Sequence, residues 1–310
     1  MDKCSRCKTE EKPLFRLSNS NVLVCSSCFM NYYEKKVKNT VLKYGMLNGV
    51  RKLALAVSGG KDSMALARVF LEVFPSIKFT VIHLNLGIPD YSDECQEIVE
   101  KFCKENSIEL LLYDLKKHNG YSIYDFGNIK SKKRVCGVCG TVKRYLMNKI
   151  AYENGFDTIA TGHNLDDIVE MLFNLYINGS IEELVRIKPV SSSMHSKIVR
   201  KIKPLIETMD KEDLYYAISR NLSYVSSECP LVEGSGMVDR KKLILKIEEE
   251  IPSFKYLLLK AHIKRFIPLL EEYVLPPTLR ECEDCGMPSV NTVCSFCKLS
   301  SKILRLVENN

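Results

Sequence analysis

Three groups of side chains in this sequence have types and spacings suited to chemistry. The first is thiol. Cys4/Cys7 and Cys25/Cys28 near the start, and Cys282/Cys285 and Cys294/Cys297 near the end, form four Cys-x-x-Cys pairs. Two residues between thiols let one tight turn present both sulfurs to one ion, and two such turns supply the soft ligands of a tetrahedral zinc site. A redox dithiol is the alternative at each end. Four protein ligands leave no open position, so a site of this kind is structural, and in so short a segment metal would supply much of the folding free energy. Cys136 and Cys139 form a further pair, and Cys229, followed by Pro230, stands far along the chain. Three thiolates fit an open zinc site, or a four-iron cluster with one iron lacking a protein ligand; redox or buried thiols are the alternatives. Cys95 and Cys103 lie eight apart on one face of an expected helix and read as small buried hydrophobes.

The second group is the run Ser58-Gly59-Gly60-Lys61-Asp62-Ser63. Two glycines let the backbone turn tightly and approach a ligand, and a helix that follows aims free N–H groups and its positive dipole end at the same point. Together with the Ser58 and Ser63 hydroxyls this makes a phosphate cradle, although the spacing of a Walker A loop is absent. The third group is Thr161-Gly162-His163-Asn164-Leu165-Asp166-Asp167. Its adjacent carboxylates could hold Mg²⁺ on a triphosphate or act on a substrate proton; helix capping by Asn164 and first-turn acids is the alternative.

These groups sit between regular elements. Apolar runs at Leu53–Val57, Phe79–Leu86, Glu109–Leu115 and Thr158–Thr161 read as buried strands. Met64–Val73, Asp93–Asn106, Cys139–Asn154 and Asn164–Asn178 read as helices. The alternation implies a parallel sheet covered on both faces, with ligands beyond the carboxyl ends of its strands. The phosphate cradle and the acidic motif both fall at such ends. His83 lies within a strand and reads as a core or rim residue; of the five histidines only His163 sits in a motif.

Composition narrows the class. The 310 residues are 45% hydrophobic and 27% charged, which argues against disorder, collagen or a membrane protein. No run of about 20 apolar residues exists to cross a bilayer, and the start MDKCSRCKTE lacks the apolar core of a secretory signal. A cytoplasmic chain with reduced thiols is expected, which turns 13 cysteines toward metal rather than disulfides. The net charge of +7 comes from two acid-free segments. One holds Lys130, Lys132, Lys133, Arg134, Lys143, Arg144 and Lys149, and the other holds Arg186, Lys188, Lys197, Arg200, Lys201 and Lys203. The rest of the chain is net acidic. Basic clusters beside an expected active site suit a polyanion such as nucleic acid; a solvated basic face is the alternative.

The Ser58–Ser63 run after a strand resembles the PP-loop of ATP pyrophosphatases. Combined with Cys-Gly-Val-Cys-Gly-Thr-Val-Lys-Arg, Thr-Gly-His-Asn-Leu-Asp-Asp, Glu-Cys-Pro and paired Cys-x-x-Cys modules at both ends, it resembles the TtcA/TtuA family of PP-loop tRNA thiolases, on the TtuA side. The resemblance implies an α/β fold: a doubly wound parallel sheet of ATP pyrophosphatase type, flanked by N- and C-terminal zinc modules. The expected division is a zinc module at 1–31, a linker helix at 32–49, a catalytic domain at 50–230, a helical extension at 231–278 and a second zinc module at 279–310. The implied reaction is 2-thiolation of a tRNA uridine, at position 54 in the T-loop. ATP adenylates O2, and sulfur carried by an iron–sulfur cluster displaces AMP. Wobble-position thiolation at U34 and a cluster-free persulfide route are the alternatives.

Residue by residue, the resemblance implies that Ala56, Ser58, Gly59, Gly60, Asp62 and Ser63 hold ATP. Leu84 would lie near adenine, Gly162 near the nucleotide and Lys143 near the phosphates. Asp167 would be the catalytic acid, beside Asp166, and Asp62 and Lys143 would be catalytic as well, Lys143 facing the phosphates or the transition state. Cys136, Cys139 and Cys229 would bind a [4Fe-4S] cluster, and the two sets of four end cysteines two Zn²⁺. Mg²⁺ would accompany ATP. A ubiquitin-like carrier with a C-terminal thiocarboxylate, or another sulfur donor, would deliver sulfur, and the assembly would be a homodimer, although no segment of the chain argues for that by itself.

Overall fold

The computed structural model describes residues 3–9, 15–17, 22–127, 135–232 and 236–307. Lys130, Lys132, Lys133 and Arg134 lie outside them.

Near the start, the two-residue strands β1 (Phe15–Arg16) and β2 (Leu23–Val24) pair antiparallel and lead into helix α1 (Ser26–Lys43). The helix begins directly after Cys25, so Cys28 lies in its first turn, and it ends at Lys43 rather than running over 32–49. Phe29, Tyr33, Val37 and Val41 recur at helical spacing and form its buried face.

The central sheet begins with β3 (Leu53–Ala56), α2 (Lys61–Val73), β4 (Phe79–Asn85), α3 (Tyr91–Glu105) and β5 (Leu110–Asp114). Short helices α4 (Leu115–Asn119) and α5 (Ile123–Gly127) precede α6 (Val135–Glu153), β6 (Thr158–Thr161) and α7 (Leu165–Ile177). After α8 (Ile181–Leu184) come β7 (Val190–Ser191) and β8 (Arg200–Ile202), then α9 (Asp210–Ser219). The strand order is β5-β4-β3-β6-β8-β7, parallel except for β7, which pairs antiparallel with β8. The four expected strands are the first four placed; the β7/β8 pair lies in the second basic segment and was not foreseen.

Side-chain alternation along β3 shows how the sheet is covered. Leu53 and Leu55 join the core formed with α1, α2 and α7, while Ala54 joins the opposite core formed with α6 and the C-terminal module. Small residues on the second face leave room for α6 to lie close. The chain continues through α10 (Met237–Glu250), α11 (Phe254–Ala261), a π-helical stretch His262–Phe266 and α12 (Ile267–Tyr273). Pro268 sits in the first turn of α12, and its missing N–H accounts for the widened turn before it. The ribbon β9 (Arg280–Glu281)/β10 (Pro288–Ser289) and α13 (Ser295–Val307) form the C-terminal module. Among the described residues no helix is long and apolar enough to cross a membrane.

Candidate functional site

The reversal of strand order puts β3 and β6 side by side in the middle of the sheet, with a helix leaving the carboxyl end of each. That is the crevice in which open α/β sheets bind ligands. The Ser58–Ser63 loop leaves β3. Gly59 takes φ +89°, and a Cβ there would lie 2.9 Å from both Cα and O of Cys95. Gly60 is the N-cap of α2, with no side chain capping the helix. Ser63 Oγ accepts from Ser58 N–H at 3.0 Å and donates to Gly60 O at 2.9 Å, which fixes the curl of the loop. The first turn of α2 therefore points backbone donors outward, as an anion site requires. Ala56 and Leu84, at the ends of β3 and β4, are half-buried along this edge.

Gly162 follows β6. A Cβ there would come within 3.1 Å of Ser63 Cα and N, so glycine is needed for the two turns to pack against each other. Next, Asn164 caps α7: its Oδ1 accepts from Asp167 N–H at 3.1 Å, and Asp167 Oδ2 accepts in return from Asn164 N–H at 3.4 Å. The capping alternative is thus observed, with Asp167 closing the box and standing at the carboxyl end of β6, beside the crevice. Its other oxygen pairs with Lys241 of α10 at 2.6 Å. Asp166 is different. It is buried and bound to Lys255 at 2.5 Å and to Asp210 N–H at 2.9 Å, so it ties α11 and α9 to α7.

Asn164 Nδ2 also donates to Asp62 at 3.3 Å and to Asp213 of α9 at 3.0 Å. Tyr33 of α1 donates to the other Asp213 oxygen at 2.7 Å. A continuous hydrogen-bonded chain thus runs from helix α1 to the phosphate loop. Burial, and then Asp62 nearby, pushes the Asp213 carboxyl well above the usual carboxylate range. Burial also raises Asp62; Lys61 opposes this from 2.8 Å, while Asp210 and Asp167 add to it. The sequence pointed to Asp62 and Asp167 but missed Asn164, Asp213, Tyr33 and Lys241 as a set. A capping asparagine was visible; its buried partner Asp213 lies 49 residues away, Tyr33 lies a further 180 from Asp213, and neither carries a motif.

The basic residues divide by partner. Lys188 pairs with Glu271, Lys197 with Glu281 and with Gly286 O, and Arg200 donates to the carbonyls of Asn48 and Gly45. These three are structural. Among the described residues Lys143, Arg144, Lys201 and Lys203 have no carboxylate within ion-pair distance. Register places Lys201 beside Ile159 and Ile202 beside Ala160, so Lys203 stands by the Thr161–His163 turn. Its Nζ donates to Lys188 O at 2.6 Å. Burial, then Lys201, pushes Lys203 down to about 8. His163 keeps an open edge to solvent, yet surrounding protein and then Lys203, Lys201 and Lys143 hold it below the usual imidazole range, against Asp167. An uncompensated patch of positive potential therefore borders the crevice.

The three lone thiols converge on its rim. Val225 N–H donates to Gly59 O at 3.0 Å, which runs the Cys229 segment past the phosphate loop. Cys136 and Cys139 lie in the first turn and a half of α6, which begins earlier than the sequence suggested, and the Cys136 thiol donates to Leu231 O at 3.5 Å. Lys143 is one turn beyond Cys139. Cys95 is buried, as expected, yet it packs directly behind Gly59.

The end cysteines assemble as two compact sets: Cys4/Cys7/Cys25/Cys28 and Cys282/Cys285/Cys294/Cys297, each with all four sulfurs within 4.8 Å of one another. A tetrahedral ion with bonds of about 2.3 Å sets sulfurs about 3.8 Å apart. Cys7 and Cys25 are 3.7 Å apart, and Cys282/Cys297 and Cys285/Cys294 are each 3.9 Å apart. Both sets can therefore hold a metal ion. Among the described residues Cys136, Cys139 and Cys229 do not form such a set.

The sheet, the loop at its switch point and the crevice define a PP-loop nucleotide-binding protein, and the model of the PP-loop domain matches residues 30–230. A tRNA-5-methyluridine(54) 2-sulfurtransferase of Pyrococcus horikoshii is 36% identical over 96% of this chain and 93% of its own length. One from Thermus thermophilus is 31% identical over 95% and 90%. The solved structure of the U34-tRNA thiolase NcsA from Methanococcus maripaludis with its [4Fe-4S] cluster is 28% identical, covers 97% of this chain and 96% of its own, and superposes with a TM-score of 0.79. The chain belongs to the PP-loop family of tRNA sulfurtransferases.

Proposed function

We propose that the protein is an ATP-dependent tRNA uridine 2-sulfurtransferase acting at position 54 of the T-loop. The carrying observation is the convergence of the Cys136/Cys139/Cys229 thiols on the rim of the PP-loop crevice, in a chain alike to U54 enzymes along nearly its whole length. A uracil O2 is a poor leaving group, so it must be activated before sulfur can replace it. In this reading the free N–H groups of α2, with Ser58, Gly59, Gly60 and Ser63, hold the phosphates of ATP, while Ala56 and Leu84 border its base and Gly162 its far side. Lys143 stabilises charge on the departing pyrophosphate. Asp62, held by Lys61 and Asn164, and Asp167, held by Lys241, present carboxylates to the same point. Mg²⁺ on those carboxylates would neutralise the triphosphate. A [4Fe-4S] cluster on Cys136, Cys139 and Cys229 would supply activated sulfur at its fourth iron.

The end modules are read as two structural Zn²⁺ sites, and the chain is divided at 1–31, 32–49, 50–230, 231–278 and 279–310, with the linker helix of the second segment being α1, which runs Ser26–Lys43. Sulfur is read as arriving on a ubiquitin-like carrier, and the enzyme as a homodimer in the cytoplasm.

Mass spectrometry of tRNA fragments from a deletion strain tests the reading: loss of 2-thiouridine at position 54 is expected. Loss at the anticodon instead would select wobble thiolation, the reading favoured by the likeness to NcsA. Cys139→Ser is expected to lower thiolation by about 100-fold or more while ATP binding survives, since loss of a ligand costs more than loss of an outer-shell partner. Full activity in an iron-free Cys139→Ser protein would sink the cluster and leave a persulfide on another thiol.

Lys203 makes a pH prediction. It is charged below about 8 and neutral above. If its charge binds polyanion, affinity for tRNA is greatest below that value and declines as pH rises through it. Lys203→Arg stays charged and is expected to flatten the decline between pH 7 and 9, measured by filter binding at constant salt. An unchanged profile would remove Lys203 from the binding surface.

A further inference from the structure

Helix α6 has two working flanks. Cys136, Cys139 and Lys143 fall on one side of its buried face, and Tyr145 falls nearly opposite Lys143, toward the C-terminal module. The Tyr145 ring stacks on Phe296 of α13 with centroids 3.8 Å apart and planes 7° from parallel. Around this stack, Lys197 bonds Gly286 O at 2.8 Å, and Tyr121 and Ser300 hydroxyls lie 2.5 Å apart. The module is therefore pinned to α6 and its surroundings. One group in the joint is unsatisfied. The Tyr145 hydroxyl is buried and has no partner in full hydrogen-bond geometry. The stack on Phe296, which the chain places between Cys294 and Cys297, sets this hydroxyl against the C-terminal cysteine set, within interaction range of Cys285. A buried hydroxyl left unpaired is destabilising, because its lost hydration is not replaced.

We infer that Tyr145 is an outer-shell donor to the C-terminal metal site, giving its hydroxyl proton in a hydrogen bond to the Cys285 sulfur once metal has made that sulfur a thiolate. A thiol can compete as donor; a metal-bound thiolate is only an acceptor, so metal satisfies the orphaned hydroxyl. The bond joins the metal module to the helix that carries Cys136 and Cys139. Outer-shell donors of this kind are worth about 10–100-fold in metal affinity. The inference rests on reading the C-terminal cysteines as a metal site.

The test is ¹¹³Cd NMR on the full-length chain with cadmium in both four-cysteine sites, the C-terminal resonance assigned by its loss in Cys297→Ser. Tyr145→Phe keeps the ring and its stack and deletes only the donor. It is expected to shift the C-terminal resonance alone and to speed metal release from that site to a chelator about 10-fold. Two resonances and two release rates identical to the parent's would overturn the role of Tyr145. A parent protein lacking a C-terminal four-thiolate resonance would overturn the metal site, and the inference with it.

Discussion

Gly59→Ala is expected to lower kcat/KM for AMP release about a hundredfold or more, with a much smaller effect on ATP-independent properties such as far-UV circular dichroism. Two costs combine. The residue holds φ +89°, where an L side chain meets a backbone penalty of about 1–2 kcal/mol. The added methyl would also stand 2.9 Å from Cys95 Cα and O, which are backbone atoms of α3 and cannot swing aside. Overpacking of that kind costs about 1–3 kcal/mol when the surroundings shift to relieve it. The shift must come from the loop or from the start of α3. Either movement turns the N–H groups of the loop away from the phosphates and loosens the Val225–Gly59 bond that brings the Cys229 segment alongside. At about 1.4 kcal/mol per factor of ten, 3 kcal/mol of lost alignment is about a hundredfold.

Gly49→Ala is the control. It has φ +71° and nothing within 4 Å of a built Cβ, so it carries backbone strain without a clash. Its Tm should fall while kcat/KM stays put. Parent-like turnover in Gly59→Ala would mean that the loop does not need its observed shape.

The residues most legible in the sequence were those whose neighbours in space are also neighbours in the chain. The Ser58–Ser63 loop, the Thr161–Asp167 turn and the Cys-x-x-Cys pairs each carry their geometry within a few residues. The first four sheet strands were readable because each is an apolar run between turn signals. Strand β8 was hidden because Arg200 and Lys201 are charged, and their spacing reads as a basic face. In the fold Arg200 spends its charge on the carbonyls of Asn48 and Gly45, which no local pattern could announce. The basic segments were taken as one kind of surface, yet Lys188, Lys197 and Arg200 hold the fold together, and Lys201 and Lys203 are left facing the crevice. Cys95 was correctly read as buried, but its place behind Gly59 depends on β3 and β4 lying side by side. Asp213 is the extreme case: a carboxylate of α9 with no motif, whose partners come from α1 and from the end of β6.

Asn164→Asp is expected to be as damaging as Gly59→Ala, for an electrostatic reason. The substitution preserves size and keeps an oxygen to cap the Asp167 N–H, so helix α7 loses little of its start. What disappears is the Nδ2 donor shared by Asp62 and Asp213. In its place a third carboxyl faces two others in a site where Asp213 is fully buried. Lys61 is engaged by Asp62 and Asp210 and has no charge to spare. Leaving a buried charge uncompensated costs about 3–5 kcal/mol, and the structure avoids this only by keeping protons on the carboxyls. Their folded-state pKa values then lie above the unfolded ones. Groups shifted in that direction stabilise the protein fully below the unfolded carboxyl range, and the contribution is lost as pH climbs through the raised folded values. The Tm of Asn164→Asp should therefore fall more steeply than the parent's between pH 5 and 8. Asn164→Ala separates the added charge from the lost donor and cap: it gives up about 1 kcal/mol of capping, and because Asp213 also loses the Nδ2 donor that holds its carboxyl down, its Tm should fall with pH more steeply than the parent's but less steeply than that of Asn164→Asp. Both variants should lose turnover, since both release Asp62 from its donor, but Asn164→Asp should recover more of its stability in acid. Superimposable pH profiles for the two would show that Asn164 serves α7 alone and that the chain from Tyr33 through Asp213 to Asp62 does not hold the phosphate loop.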